Sequence, residues 1–290
     1  KTLHPKIHSG ILYKRNNIKH KNILKKFKFE GIDLVITNFY PFQKIINKTK
    51  DQNKIIENID IGGPTLVRSA AKNFKDVTVV TKIEQYVELI NELNLYHGST
   101  SLKFREKMSR EAFGETASYD TKIYNYFNSI TKNIIPQKII FDANLIQKLR
   151  YGENPHQYAA IYGDKKNFGL TQLQGKSLSY NNYNDIFACL NLSKMMPQNK
   201  GVVIVKHANP SGVSIENDKL KSYLSAMNCD PVSAFGGILS CNYKISIKIA
   251  KEIIKNYYEV IIANGFDKKA LINLAYIITQ KRKQISRGDI

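Results

Sequence analysis

Residues 201–212 read G201-V-V-I-V-K-H-A-N-P-S-G212. The apolar run Gly201–Val205 has the character of a buried strand, with hydrophobic side chains on both faces. It ends in Lys206 and His207 side by side, and the turn-forming residues Asn209, Pro210, Ser211 and Gly212 then read as the turn that stops the strand. A structural ending needs turn residues, but neither a cation nor an imidazole. A lysine beside a group that titrates near neutrality points to chemistry at the end of a core strand.

Working outward, strands alternate with helices, the pattern of an α/β protein. Strands are expected at 33–37 and 77–81. Helices are expected at 66–73, with Pro64 in the first turn, at 83–95, where Tyr86, Val87, Leu89, Ile90 and Leu93 fall near helical spacing, and at 102–130. A polar stretch containing Pro136 suggests a boundary, giving domains at 1–135 and 136–290. The second domain is expected to hold strands at 138–142, 158–162, 201–206, 236–241 and 259–263, and helices at 184–196, 216–227 and 246–257.

The chain has 290 residues, 42% of them hydrophobic, enough for one or two packed cores. No apolar run reaches membrane-spanning length, and no secretory leader is evident. Three cysteines, Cys189, Cys229 and Cys241, are odd in number and lack metal-site spacing, which fits a reduced, cytoplasmic setting. The formal charge of +20 admits nucleic-acid binding. The lysines are scattered without a recognisable binding module, however, and Lys, Asn, Ile and Tyr are all abundant while Trp is absent, as an AT-rich coding bias would produce. A nucleic-acid binder would show affinity that falls steeply with salt and is indifferent to Lys206 and His207.

Four further stretches are rich in Gly, Pro and functional side chains. K1-T-L-H-P-K-I-H-S-G10 offers an ammonium and a hydroxyl to an anion, and otherwise reads as a surface loop. N38-F-Y-P-F42 ends a strand; Tyr40 could donate to an oxyanion, while Phe39 and Phe42 suit a packed aromatic turn. E57-N-I-D-I-G-G-P-T-L-V-R-S-A-A-K-N73 places Asp60 before a glycine pair at a helix start, where free N–H groups attract anions, and Lys72 near the helix end. L149-R-Y-G-E-N-P-H-Q157 crowds Arg150, Tyr151 and His156 around a Gly and a Pro, which suits phosphate and a planar ring. D230-P-V-S-A-F-G-G237 extends the opening stretch; Phe235 could cover a flat heterocycle, or simply start a strand after a turn.

These stretches, together with L173-Q-G-K-S-L-S-Y-N-N182, occur in one order that resembles the bifunctional AICAR transformylase/IMP cyclohydrolase family, over residues 1 to roughly 265. The resemblance implies a methylglyoxal-synthase-like cyclohydrolase domain, followed by the first part of a transformylase domain similar to cytidine deaminase but without its zinc. The absence of a C-x-x-C pair and an H-x-E partner agrees with the missing zinc. The resemblance implies formyl transfer from 10-formyltetrahydrofolate to the AICAR nucleotide, then closure of formyl-AICAR nucleotide to IMP. His207 would take the amine proton, and Lys206 would stabilise the oxyanion or assist departure of the folate nitrogen. Asn209 would line that pocket, Arg150 would hold phosphate with Tyr151 and His156 nearby, Phe235, Gly236 and Gly237 would touch the nucleotide, and Glu259 would hold the ribose.

For ring closure the matching positions are Lys1, Thr2, Tyr40, Asp60 and Lys72, with Asn38 and Gly62 as contacts. Tyr40 and Lys72 would stabilise the oxyanion, and Asp60 would orient the carboxamide or take its proton. The resemblance further implies a homodimer, no metal for catalysis, room for a structural potassium ion, and neither nucleic-acid nor membrane partners. It places a further α/β segment ahead of Lys1 and a second transformylase lobe after residue 290, so the chain reads as an internal piece of a longer protein. An inactive fragment is therefore the rival reading. Residues 280–290 match nothing in the family, and Asn264 stands where Pro is expected.

Overall fold

The computed structural model describes residues 3–131, 135–164 and 169–274. The chain is mixed α/β and divides into two compact units, Lys1–Asp142 and Ala143–Ile290.

The first unit contains β1 (Leu34–Ile36) and β2 (Thr78–Val80), paired in parallel with Val35 opposite Val79. Helices α1 (Pro5–Leu12), α2 (Ile18–Phe27), α3 (Phe42–Lys48), α4 (Gln52–Glu57), α5 (Gly62–Lys72), α6 (Tyr86–Leu95) and α7 (Leu102–Ile130) accompany the strands, with a 3₁₀ turn at Ile83–Gln85. One core gathers Ile11, Val35, Val67, Val79, Leu89 and Met108; a smaller one gathers Phe42, Ile55 and Tyr119. The stretch read as a surface loop is helical from Pro5. The His4 side chain accepts a hydrogen bond from the Lys6 N–H, and proline at a first helical position has no N–H left unpaired.

The second unit contains a hairpin of β3 (Asn144–Lys148) and β4 (Ala160–Gly163), and a four-stranded sheet ordered β6-β5-β7-β8. Its members are β5 (Gly201–Lys206), β6 (Asn209–Ile215), β7 (Gly237–Ile245) and β8 (Tyr258–Phe266). Helix α8 (Tyr180–Lys194) covers one face, where Tyr183, Ile186 and Cys189 meet Val203, Val205 and Ile238. Helices α9 (Lys219–Cys229) and α11 (Ile247–Ile253) cover the other, where Tyr223, Ala226 and Ile249 meet Val202, Ile204 and Leu239. Alternate residues of β5 thus enter opposite cores, which explains its uninterrupted apolar run. The short helix α10 (Pro231–Ala234) leads into β7. β7 and β8 run parallel and are joined through α11.

Two further expectations are overturned. Residues 138–142 are not a strand: the Lys138 carbonyl accepts from the Tyr124 hydroxyl at 2.6 Å, and the Asp142 carboxylate accepts from the Ser118 hydroxyl at 2.6 Å, so this segment is tied to α7. The first strand of the second unit begins at Asn144. Nor do Asn209–Gly212 form the turn after β5. They open β6, and the turn is His207–Ala208, with Lys206 paired to Asn209. Pro210 is tolerated because β6 lies at the sheet edge. Gly212 is required by close packing: a Cβ there would stand 1.9 Å from the Ala226 carbonyl oxygen. Among the described residues, no helix is long and apolar enough to cross a membrane, and no group of three or more His, Cys, Asp and Glu residues could hold a metal ion.

Candidate functional sites in the two units

In the first unit, the loop after β1 meets the start of α5. The Asp60 carboxylate accepts from the Gly63 N–H at 2.8 Å through Oδ1 and from the Tyr40 N–H at 3.4 Å through Oδ2. It therefore closes the helix start, where an anion is favoured by the helix dipole. Gly63 permits this, since a Cβ would stand 2.4 Å from Asp60 Oδ2. A carboxylate has about four acceptor sites, so Asp60 keeps capacity for a further donor.

Asn38 donates to the Thr81 carbonyl at 3.0 Å and accepts from the Tyr86 hydroxyl at 3.2 Å. Tyr40 is 56% exposed, leaving its phenol accessible. Gly62 is the first residue of α5. Asn38, Tyr40, Asp60 and Gly62 thus belong to one neighbourhood.

Lys72 does not join them. It ends α5, and ten residues at 1.5 Å each put it about 15 Å along the helix from Gly62. Lys1 and Thr2 lie outside the described residues.

Tyr119 was not among the candidates. It is buried, and its hydroxyl accepts from the Asp60 N–H at 2.8 Å. Its ring lies 5.1 Å from that of Phe39 and 6.3 Å from that of Phe42. One residue of α7 therefore joins the two candidate loops, and burial pushes its phenol above the usual ionisation range. Within the regular pattern of a 29-residue helix, nothing in the sequence distinguishes it.

In the second unit, the candidates gather at one end of the four-stranded sheet. Lys206 closes β5 and donates from Nζ to the Phe235 carbonyl at 2.8 Å, leaving two ammonium protons for another acceptor. His207 is exposed, and its ring forms no hydrogen bond with any described residue. Asn209 donates from Nδ2 to the His207 carbonyl at 2.8 Å. Phe235 is 56% exposed, with its ring 5.5 Å from that of Tyr257.

Gly236 has φ +76°, a region glycine enters readily, and a Cβ on Gly237 would stand 2.8 Å from the Val205 carbonyl. The glycine pair thus has a structural reason to be there, apart from any ligand. Nearby, hydrogen bonds from Ser233, side chain first and then backbone, hold Asp230 below the usual carboxylate range, and the Lys206 charge adds to this.

Helix α8 connects this end of the sheet to the β3–β4 loop that carries Arg150, Tyr151 and His156. Ser179 caps the helix with a reciprocal bond to Asn182. Asn182 Nδ2 donates to Glu259 Oε2 at 2.6 Å, and Asn181 Nδ2 donates to the Glu153 carbonyl at 3.3 Å. One turn further along, Asp185 accepts from the Ala208 N–H at 2.7 Å. The Arg150 guanidinium lies 5.3 Å from the Tyr151 ring centre. Gly152, Glu153, His156, Gln157, Tyr158 and Tyr180 line an open cavity of about 560 Å³. Asn181, Asn182 and Asp185 were not singled out from the sequence. For the two asparagines the signal available was the motif L173–N182 itself, from which they reach Glu153 in the Arg150 stretch and the candidate Glu259; Asp185 lies beyond that motif.

A family model described as AICARFT/IMPCHase bienzyme matches residues 70–285, so the expectation that 280–290 match nothing in the family fails for 280–285, which lie outside the described residues. The chain belongs to this family. Among curated relatives named bifunctional purine biosynthesis protein PurH, that of Bradyrhizobium diazoefficiens is 44% identical over 277 residues, covering 93% of this chain and 52% of that protein. That of Thermoanaerobacter sp. strain X514 is 43% identical over 292 residues, covering 98% and 56%. The chain thus spans about half the length of these members of the bienzyme family. A solved structure described as the crystal structure of ForH is 28% identical, with a TM-score of 0.39, covering 44% of this chain and 66% of that one.

Proposed function

We propose that the protein serves the last two steps of purine-ring assembly on the nucleotide: transfer of a formyl group from 10-formyltetrahydrofolate to the amine of AICAR nucleotide, and closure of the product to IMP. In this reading the first unit is the cyclohydrolase, with a methylglyoxal-synthase-like fold, and the second is the leading part of a cytidine-deaminase-like transformylase. The observation that carries the reading is the gathering of Lys206, His207, Phe235 and Glu259, with α8 reaching the Arg150 loop, at one end of a single sheet.

In formyl transfer, the 5-amino nitrogen attacks the formyl carbon and must lose a proton. His207 supplies an imidazole, the side chain most often used as a general base, on an exposed ring that bonds no described residue. The carbonyl oxygen gains charge, which the two remaining Lys206 protons can meet. Collapse breaks the bond to the folate nitrogen, which takes up a proton and leaves tetrahydrofolate. Arg150 and the α8 start are suited to the nucleotide phosphate and ribose.

In ring closure, the carboxamide nitrogen attacks the formyl carbon and water departs. Asp60 orients the carboxamide or accepts its proton, and Tyr40 donates to the oxyanion. Because the attack is intramolecular, orientation supplies much of the acceleration. Lys72 stands outside this cluster, while Lys1 and Thr2 enter on the resemblance alone, as does a homodimeric assembly.

The test supplies purified protein with AICAR nucleotide and 10-formyltetrahydrofolate. Tetrahydrofolate and IMP should appear, and His207→Ala should abolish the first step. Undiminished tetrahydrofolate release by that variant would contradict the assignment.

A further inference from the structure

The turn that presents His207 is built against its own backbone preference. His207 and Ala208 have φ of 53° and 58°, both in the left-handed region. A two-residue turn between antiparallel strands calls for this geometry at both positions, and Asn-Gly or Gly-Gly meets it at little cost. Here both residues carry a Cβ, which crowds the following carbonyl in that conformation. Histidine enters this region more readily than most residues, but alanine does not, so the surroundings must hold the turn at Ala208.

Two contacts do so. Asn209 Nδ2 donates to the His207 carbonyl at 2.8 Å, within the turn. Asp185 accepts the Ala208 N–H at 2.7 Å from a separate element, helix α8. A carboxylate acceptor makes a stronger bond than a neutral one. Helix α8 is itself fixed, through Ile186 and Cys189 in the core and through Asn182 on Glu259. The clamp therefore rests on a rigid support.

We propose that Asp185 is a positioning residue. Its carboxylate holds the His207–Ala208 turn in the left-handed conformation, and so fixes the direction in which the imidazole leaves the sheet. The role in catalysis rests on the formyl-transfer reading above; the clamp itself does not. Asp185 touches neither substrate nor reacting atoms in this account.

Three variants test it: Asp185→Ala, Asp185→Asn, and Asp185→Ala combined with Ala208→Gly. In formyl transfer, Asp185→Ala should lower kcat at least tenfold and leave KM for AICAR nucleotide within twofold. Asp185→Asn keeps an oxygen acceptor and should retain most of kcat. Glycine at 208 adopts the turn without the clamp, so the double variant should regain at least half of the lost rate on a logarithmic scale. A merely structural role for Asp185 would not be rescued at 208.

Independently of activity, amide hydrogen exchange at Ala208 should accelerate more than tenfold in Asp185→Ala, with Ile204 in β5 unchanged. Unchanged exchange at Ala208 would overturn the clamp. Accelerated exchange with unchanged kcat, or no rescue in the double variant, would overturn its link to catalysis. If the parent protein transfers no formyl group, the reaction reading fails and the exchange result alone decides the clamp. If Asp185→Ala does not fold, exchange in Asp185→Asn decides it: Ala208 protection should stay within threefold, and wholesale loss with β5 intact would overturn the proposal.

Discussion

Each candidate site uses a carboxylate to accept a backbone N–H, at a helix start in the first unit and at a strand-to-strand turn in the second, but they divide the work differently. In the first unit, Asp60 both closes the start of α5 and is the group assigned to the substrate carboxamide. In the second, Asp185 accepts a backbone N–H, while the chemistry is assigned to His207 and Lys206 instead. When one residue does both jobs, its replacement disturbs structure and reaction together. When the jobs are split, they can be separated by mutation.

The largest effect should come from removing a reacting group in the second unit. Lys206→Met should lower formyl-transfer kcat by about 10²–10³, the scale of losing one oxyanion donor, without lowering the melting temperature. Steady-state kinetics beside thermal unfolding would show whether the two are separable there.

In the first unit, Tyr119→Phe should slow ring closure about tenfold and destabilise the protein by about 1–2 kcal/mol, because the Asp60 N–H loses its partner. If stability falls and closure does not, Tyr119 is a packing residue only.

A third prediction concerns pH. Burial pushes the thiols of Cys189 and Cys241 up to about 12, from 9.0. Burial also raises Tyr223, Tyr243 and Tyr258. These groups are neutral when folded and ionise more easily when unfolded, so their contribution is complete below pH 9 and is lost as pH rises from there towards 12. Urea unfolding followed from pH 8 to 11 should show this decline, and Cys189→Ala should make it shallower.

The smallest effect belongs to the turn. Ala208→Gly alone relieves a left-handed alanine and should stabilise the protein by about 1 kcal/mol, with formyl transfer little changed. A drop in melting temperature would mean that the alanine is not strained.

How far the sequence reveals this division depends on the length and local chemistry of each element. Helix α7, Leu102–Ile130, and strand β5, Gly201–Lys206, fall at their expected bounds because long periodicity or an unbroken apolar run leaves little choice. Helices α1 to α4 run from 6 to 10 residues, too short for periodicity to mark them well. The turn after β5 is misplaced because Asn209–Gly212 looks like a turn, whereas His207–Ala208 does not. Pairing across the sheet and the close approach of α9 to Gly212 decide the matter, and both are non-local. Asp60 and Lys72 look like neighbours along one motif, but a helix between them keeps them at opposite ends. Tyr119 and Asp185 act through contacts at separations of 59 and 23 residues, which no local pattern encodes.

The most direct test of the account is a reciprocal one. His207→Asn and Asp60→Asn would each be assayed for formyl transfer to AICAR nucleotide and, separately, for closure of supplied formyl-AICAR nucleotide to IMP. The account predicts that His207→Asn loses transfer and keeps closure within twofold, while Asp60→Asn loses closure and keeps transfer. Loss of both reactions in either folded variant would contradict the assignment of one reaction to each unit.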